Sequence, residues 1–244
     1  MHWTSAGDAH RLPVVFVHGW TCDETSWQAQ APAISNVYRA ITLDLPGHGR
    51  SDAPGDGRFT LDLFARAIEA VRQEAGANRV VLVGHSMGVP VVRHYARMFP
   101  ARTKALVLVD GAILTPAEAA SRAGFPQRMG GPGGRKYREQ AIQSMFSSAT
   151  TPEEKRHILS MMLATPETTA VGAIHVMLEP AATDDYVLRL PALGIFSGNE
   201  SRPYMTTLFP LIDYRQVPGS GHFIMMDKPG EFNRLLLEFL KKQK

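Results

Sequence analysis

The sequence predicts an α/β fold, a mostly parallel sheet flanked by helices. Three observations predict it. Short β-rich runs alternate with helix-patterned segments along most of the chain. Several of those runs are continuously apolar, as strands buried on both faces must be. The length, 244 residues, suits one sizeable domain with an insertion better than two full domains.

The elements follow in order. Candidate strands are residues 13–18, 38–43, 79–83, 105–109, 192–196 and 213–217. Between the second and third, Leu61, Phe64, Ile68 and Val71 repeat at helical spacing, with Thr60 placed to cap them. Phe232, Leu235, Leu236, Phe239 and Leu240 form one face of a closing helix. The alternation breaks between Ala112 and Asp185, where four helices are predicted over 116–123, 135–147, 152–163 and 168–177. MGGPGG, residues 129–134, reads as a flexible connection between two of them. The expected division is a core of residues 1–111 and 186–244, with a helical cap over 112–185 inserted after the strand that ends at Asp110. Such a cap would lie over the carboxyl edge of the sheet, where open α/β sheets bind ligands.

Composition narrows the function. The chain is 44% hydrophobic and 20% charged, with a formal net charge of +3 and scattered Lys and Arg, which argues against a nucleic-acid stripe. Seven basic residues between Arg122 and Arg156 are mixed with Gly, Pro and Glu and read mainly as a solvated surface. No apolar run approaches the ~20 residues that span a bilayer. MHWTSAGDAH lacks the features of a secretory signal, so the expected location is cytoplasmic. Cys22 is the only cysteine, which excludes an intrachain disulfide and a thiolate cluster. No HExxH or similar spacing points to a metal, and no cofactor is expected.

The chemistry concentrates at GHSMG, residues 84–88. A nucleophilic serine must project its hydroxyl to where a base and two oxyanion donors converge. A tight strand-to-helix turn does this but crowds the backbone, so small residues are needed two places either side, here Gly84 and Gly88. The following helix aims free N–H groups and its positive dipole end at the site. Pro90 falls in the first turn of that helix, where a missing N–H does little harm.

With VVLV before it and an amphipathic helix after it, this motif resembles the nucleophile turn of the α/β-hydrolase family, and the resemblance covers nearly the whole chain. VVFVHGW (14–20) is similar to the family's oxyanion loop, and DLPGHGRSD (44–52) to the turn after the next strand. VLVD (107–110) resembles the strand before the cap, and GSGHFIMMDKPGEFNRLL (219–236) the catalytic-histidine loop and last helix. The resemblance implies Ser86 as nucleophile, His222 as general base, and the backbone N–H groups of Trp20 and Met87 as the oxyanion hole. The Trp20 indole is a candidate wall of the acyl pocket. His18, His48 and His85 read as structural or flanking residues, and His94, His157 and His175 as helix-face residues.

The triad acid departs from the pattern. The family commonly places Asp three residues after a glycine ending the post-cap strand, and here that place, after Gly198, holds Ser201. Asp110, where haloalkane dehalogenases and some other members carry the acid, and Glu200, one residue before the vacant place, are the alternatives. Asp110 is favoured because a strand end fixes it rigidly, while Asp213 and Asp227 are weaker candidates. Haloalkane dehalogenases carry Asp where this chain has Ser86, which argues against that activity and against epoxide hydrolysis.

The resemblance implies a carboxylic ester hydrolase acting through an acyl-enzyme on a small-molecule ester. Lactone, carbon–carbon bond, perhydrolase and lyase chemistry remain alternatives, as does a slow-turnover receptor. Met145, Phe146, Met161, Met162, Leu163, Met177 and Leu178 are candidates for an adaptable apolar pocket, though most suit packing as well. The basic residues of the cap suggest tolerance of anionic substrates. Twelve residues precede PVVFVHG, too few for the family's opening hairpin, so a sheet without its first strand is expected, with at most one edge strand over 2–5. That open edge is compatible with a monomer or a homodimer.

Overall fold

The computed structural model describes residues 1–198 and 202–243. Strands β1 (His2–Ala6), β2 (Pro13–Val17), β3 (Arg39–Asp44), β4 (Val80–His85), β5 (Thr103–Val109), β6 (Ala192–Ser197) and β7 (Ile212–Val217) form one sheet in the order β1-β3-β2-β4-β5-β6-β7. All neighbours are parallel except β1 and β3. Within residues 1–12, one antiparallel strand, β1, lies before β2. Its pattern HWTSA is half-buried to exposed, as an edge allows, whereas every residue of PVVFV in β2 and VVLVGH in β4 is buried.

The chain leaves β2 for β3 on one side, and β4 returns to the other side of β2. The carboxyl ends of β2 and β4 thus diverge at a crevice, the usual ligand position of an open parallel sheet. Helices α1 (Ala31–Ser35), α2 (Leu61–Glu74) and α3 (Gly88–Met98) follow β2, β3 and β4 in turn. Thr60 caps α2 by accepting from the Leu63 N–H, and Leu61, Phe64, Ile68 and Val71 bury the predicted face.

Between β5 and β6 lie α4 (Pro116–Ser121), α5 (Gly134–Gln143), α6 (Pro152–Ala164), α7 (Glu167–His175) and α8 (Pro180–Thr183). The four predicted helices are present, but α5 stops at Gln143, and Met145 just beyond it accepts from the His222 N–H of the histidine loop. MGGPGG is not a free linker. Met129 is buried, the Gly131 N–H donates to Glu167 at 3.0 Å, and Gly133, at φ +89°, caps α5. After β6 come α9 (Pro203–Leu208), α10 (Ile224–Asp227) and α11 (Pro229–Lys241), the last burying Phe232, Leu235, Leu236, Phe239 and Leu240.

Candidate active site

β4 delivers Ser86 in a left-handed conformation, φ +53°, held by a 2.9 Å bond from its N–H to the Val109 carbonyl. The turn is possible because its flanks lack side chains. A Cβ on Gly84 would meet the Gly88 carbonyl oxygen at 2.5 Å, and one on Gly88 would meet the Val17 oxygen at 2.7 Å. Thr21 (φ +54°) and Asp110 (φ +38°) are the other non-glycine residues with positive φ among those described. All three follow the carboxyl ends of sheet strands, so backbone strain gathers where the crevice lies.

His222 comes from the loop between β7 and α10. Its Nδ1 lies 2.8 Å from Asp110 Oδ2. The other Asp110 oxygen accepts from the Ser197 N–H and hydroxyl, both at 2.9 Å, and lies 3.5 Å from Arg202. Burial alone would raise the Asp110 pKa. The His222 hydrogen bond and charge and the two Ser197 donors outweigh it and lower the pKa to about 2. Nδ1 must then donate to an ionised carboxylate, which leaves the Nε2 lone pair free to accept a proton.

The structure therefore brings Asp110 to His222. Glu200 and Ser201 lie outside the described residues. Asp213 instead pairs with Arg215 at 2.7 Å, and Asp227 accepts from the Gly221 N–H at 2.6 Å and the Ser147 hydroxyl at 3.2 Å. Together with a 3.0 Å bond from the His222 N–H to the Met145 carbonyl, Asp227 ties the histidine loop to the end of α5.

The loop after β2 passes close to Ser86, since a Cβ on Gly19 would lie 3.1 Å from the Ser86 Cβ. His18 is buried and fixes this loop. It accepts from the Leu45 N–H through Nε2 and donates from Nδ1 to the Gly19 carbonyl at 2.8 Å. A trans peptide points C=O and N–H oppositely, so anchoring the Gly19 oxygen sets the direction of the Trp20 N–H. Among the described residues, neither the Trp20 nor the Met87 N–H has a backbone partner in the surrounding turns. The Trp20 indole donates to the Ala170 carbonyl at 2.7 Å, binding the loop to α7.

His85, expected to be a structural or flanking residue, lies directly beneath His222. It is buried, and its Nε2 donates to the His222 carbonyl at 2.9 Å, which leaves Nδ1 without a partner. Burial and the neighbouring His222 push its pKa down to about 3. His48 is also buried in its turn, while His94 bonds Asp62 at 2.7 Å and His157 faces the Thr25 hydroxyl at 3.1 Å.

Ser86 and His222 open onto one cavity of about 340 Å³. Its floor includes Gly19, Trp20 and Phe223, and its opposite wall comes from the insertion between β5 and β6, including Leu114, Phe125, Met129, Met145, Met162 and Met177. Of the predicted pocket residues, Met145, Met162, Met177 and Leu178 reach it, whereas Met161 turns to the Ser26 and Thr25 hydroxyls. Cys22 also lines the cavity, and burial raises its thiol pKa to about 12, far from reactivity.

The family model of the alpha/beta hydrolase fold matches residues 13–187. The chain belongs to that family. A thermophilic esterase from Thermogutta terrifontis superposes on this α/β-hydrolase with a TM-score of 0.86 at 26% identity, covering 99% of this chain and 93% of that one. The dihydrolipoyllysine-residue acetyltransferase component of the acetoin cleaving system of Pseudomonas putida is 25% identical over a 268-residue alignment, spanning 99% of this chain and 67% of that protein. The sn-1-specific diacylglycerol lipase of Mus musculus is 24% identical over 96% of this chain and 82% of its own length.

Proposed function

We propose that this α/β-fold hydrolase cleaves carboxylic esters through an acyl-enzyme, with Ser86 as nucleophile, His222 as general base and Asp110 as the acid that orients it. The 2.8 Å contact between His222 Nδ1 and Asp110, beside a serine on the same cavity wall, carries the reading. Likeness to an esterase at 26% identity supports it.

The Ser86 hydroxyl attacks the ester carbonyl while His222 Nε2 takes its proton. The negative charge that develops on the carbonyl oxygen is met by the Trp20 and Met87 N–H groups. Collapse breaks the ester C–O bond, and the imidazolium returns its proton to the departing alkoxide. Water, deprotonated by His222, then attacks the acyl-enzyme and releases the acid and Ser86. A lactone passes through the same steps with its alcohol still attached.

The test is hydrolysis of 4-nitrophenyl esters by the wild-type protein and by Ser86→Ala. We expect saturable turnover that Ser86→Ala abolishes, and an acylated Ser86 peptide after rapid quenching. Turnover that survives Ser86→Ala would overturn the mechanism. Inactivity of the wild-type protein on every ester, with tight saturable ligand binding, would favour a receptor.

A further inference from the structure

The cavity is apolar on nearly every side, yet Arg122, exposed to solvent, stands among its lining residues. Among the described lining residues it is the one side chain with a permanent charge. Its backbone is fixed at the end of α4. The Arg122 N–H bonds the Glu118 and Ala119 carbonyls, and the Arg122 carbonyl accepts from the Phe125 N–H at 2.8 Å. Phe125 lies edge-on to Tyr137 with ring centroids 6.1 Å apart.

The guanidinium is not committed to the fold. Arg72, Arg93 and Arg138 each pair with a carboxylate, and Arg122 makes no such ion pair among the described residues. Glu118 feels the Arg122 charge, but its carboxylate is bonded to the Thr115 N–H at 2.7 Å and the Thr115 hydroxyl at 2.9 Å. A neutral ester gains nothing from a cation on the wall. An anion gains charge-assisted hydrogen bonds from it, of the modest size that a solvent-exposed cation gives.

We propose that Arg122 selects substrates by a carboxylate remote from the scissile carbonyl, so that the ester or lactone cleaved at Ser86 is anionic. The proposal rests on the hydrolase reading of Ser86. A carboxylate matches the flat guanidinium fork and needs only one positive charge. A phosphate dianion would leave charge unbalanced, because the wall supplies no second permanent cation among the described residues.

The experiment compares 4-nitrophenyl half-esters of glutaric and adipic acid with the neutral 4-nitrophenyl hexanoate, in wild-type protein, Arg122→Gln and Arg122→Lys. We expect the wild-type protein to favour a half-ester in kcat/KM, chiefly through KM. Arg122→Gln should lower the anionic-to-neutral ratio about two- to fivefold, as loss of a solvent-exposed charge pair implies, and Arg122→Lys should restore part of it. Added salt should erode the wild-type ratio but not that of Arg122→Gln. An equal effect of Arg122→Gln on both ester types, or a wild-type preference for the hexanoate, would overturn the proposal. Calorimetric binding of the same compounds to Ser86→Ala and to the double variant Ser86→Ala, Arg122→Gln separates the two readings. If the wild-type protein cleaves no ester, the hydrolase reading fails, and selection by Arg122 stands or falls on whether charge preference in binding follows Arg122.

Discussion

Asp110 is held by donors on both oxygens, His222 on one and Ser197 on the other, with Arg202 nearby. An asparagine in its place would present an amide N–H₂ or a weaker acceptor to His222 Nδ1, and the tautomer with a free Nε2 lone pair would lose its support. Asp110→Asn should therefore lower kcat about 10⁴-fold, the size known for this change in a serine triad, with little change in secondary structure by circular dichroism. Glu200→Gln should leave kcat within roughly a factor of a few, and the reverse pattern would move the acid to Glu200. Ser197→Ala removes one Asp110 donor and keeps the backbone N–H. It should cost only a few-fold in kcat, consistent with one hydrogen bond worth about 1 kcal/mol. Ser86 and His222 were legible because each sits inside a contiguous motif. The support around Asp110 was not, because the register that brings Ser197 across from β5 is set by pairing of Val109 with Ile195, far apart in sequence.

The strand-to-helix turn shows what an element demands of its residues. At Gly84 the obstacle to a side chain is the Gly88 backbone, which cannot rotate aside as a flexible side chain would. Gly84→Ala should destabilise the fold by about 1–3 kcal/mol, the usual cost of overpacking, and should depress activity further by displacing Ser86. Urea unfolding and ester turnover measured together would check this, and unchanged values for both would mean the turn has room. The long elements were readable because apolar periodicity accumulates over several turns, as in α2, or over a continuous run, as in β4. Short helices escaped for the same reason. Ala31–Ser35, Pro203–Leu208 and Ile224–Asp227 are too brief to complete a pattern, and tertiary contacts stabilise them rather than their own sequence. Local signals did exist within the insertion. TPAE and TPEE form capping boxes at Thr115 and Thr151, marking the starts of α4 and α6. MGGPGG misled because its glycines suggested freedom, whereas the Glu167 and Arg138 contacts that pin it come from other helices.

At the scale of the whole molecule, three buried histidines couple the fold to pH. Burial holds His18, His48 and His85 below the ordinary imidazole value of 6.5, the latter two at about 3. Their positions explain why they stay neutral. His18 accepts from the Leu45 N–H, His48 lies 5.0 Å from the His18 ring, and His85 stands under His222. A second proton on any of them would add an unpaired charge inside the core. The unfolded chain has no such restraint and takes up these protons as pH falls through about 6.5. Below that value the unfolded state binds more protons than the native state, so stability declines by up to about 1.4 kcal/mol per pH unit for each histidine. The loss ends for His48 and His85 only as pH passes about 3. Asp110 contributes in a lower window, because its stabilisation is present above the ordinary carboxyl value of 3.8 and fades toward about 2. The histidines therefore dominate between about pH 6.5 and 4. Thermal unfolding followed across that range should show a steep fall in Tm. His48→Gln, whatever it does to Tm at neutral pH, should flatten the slope by roughly one proton's share. A Tm independent of pH down to about 4.5 would mean that these imidazoles accept protons in the native state, and the acceptor role of His18 Nε2 toward the Leu45 N–H would fall with it.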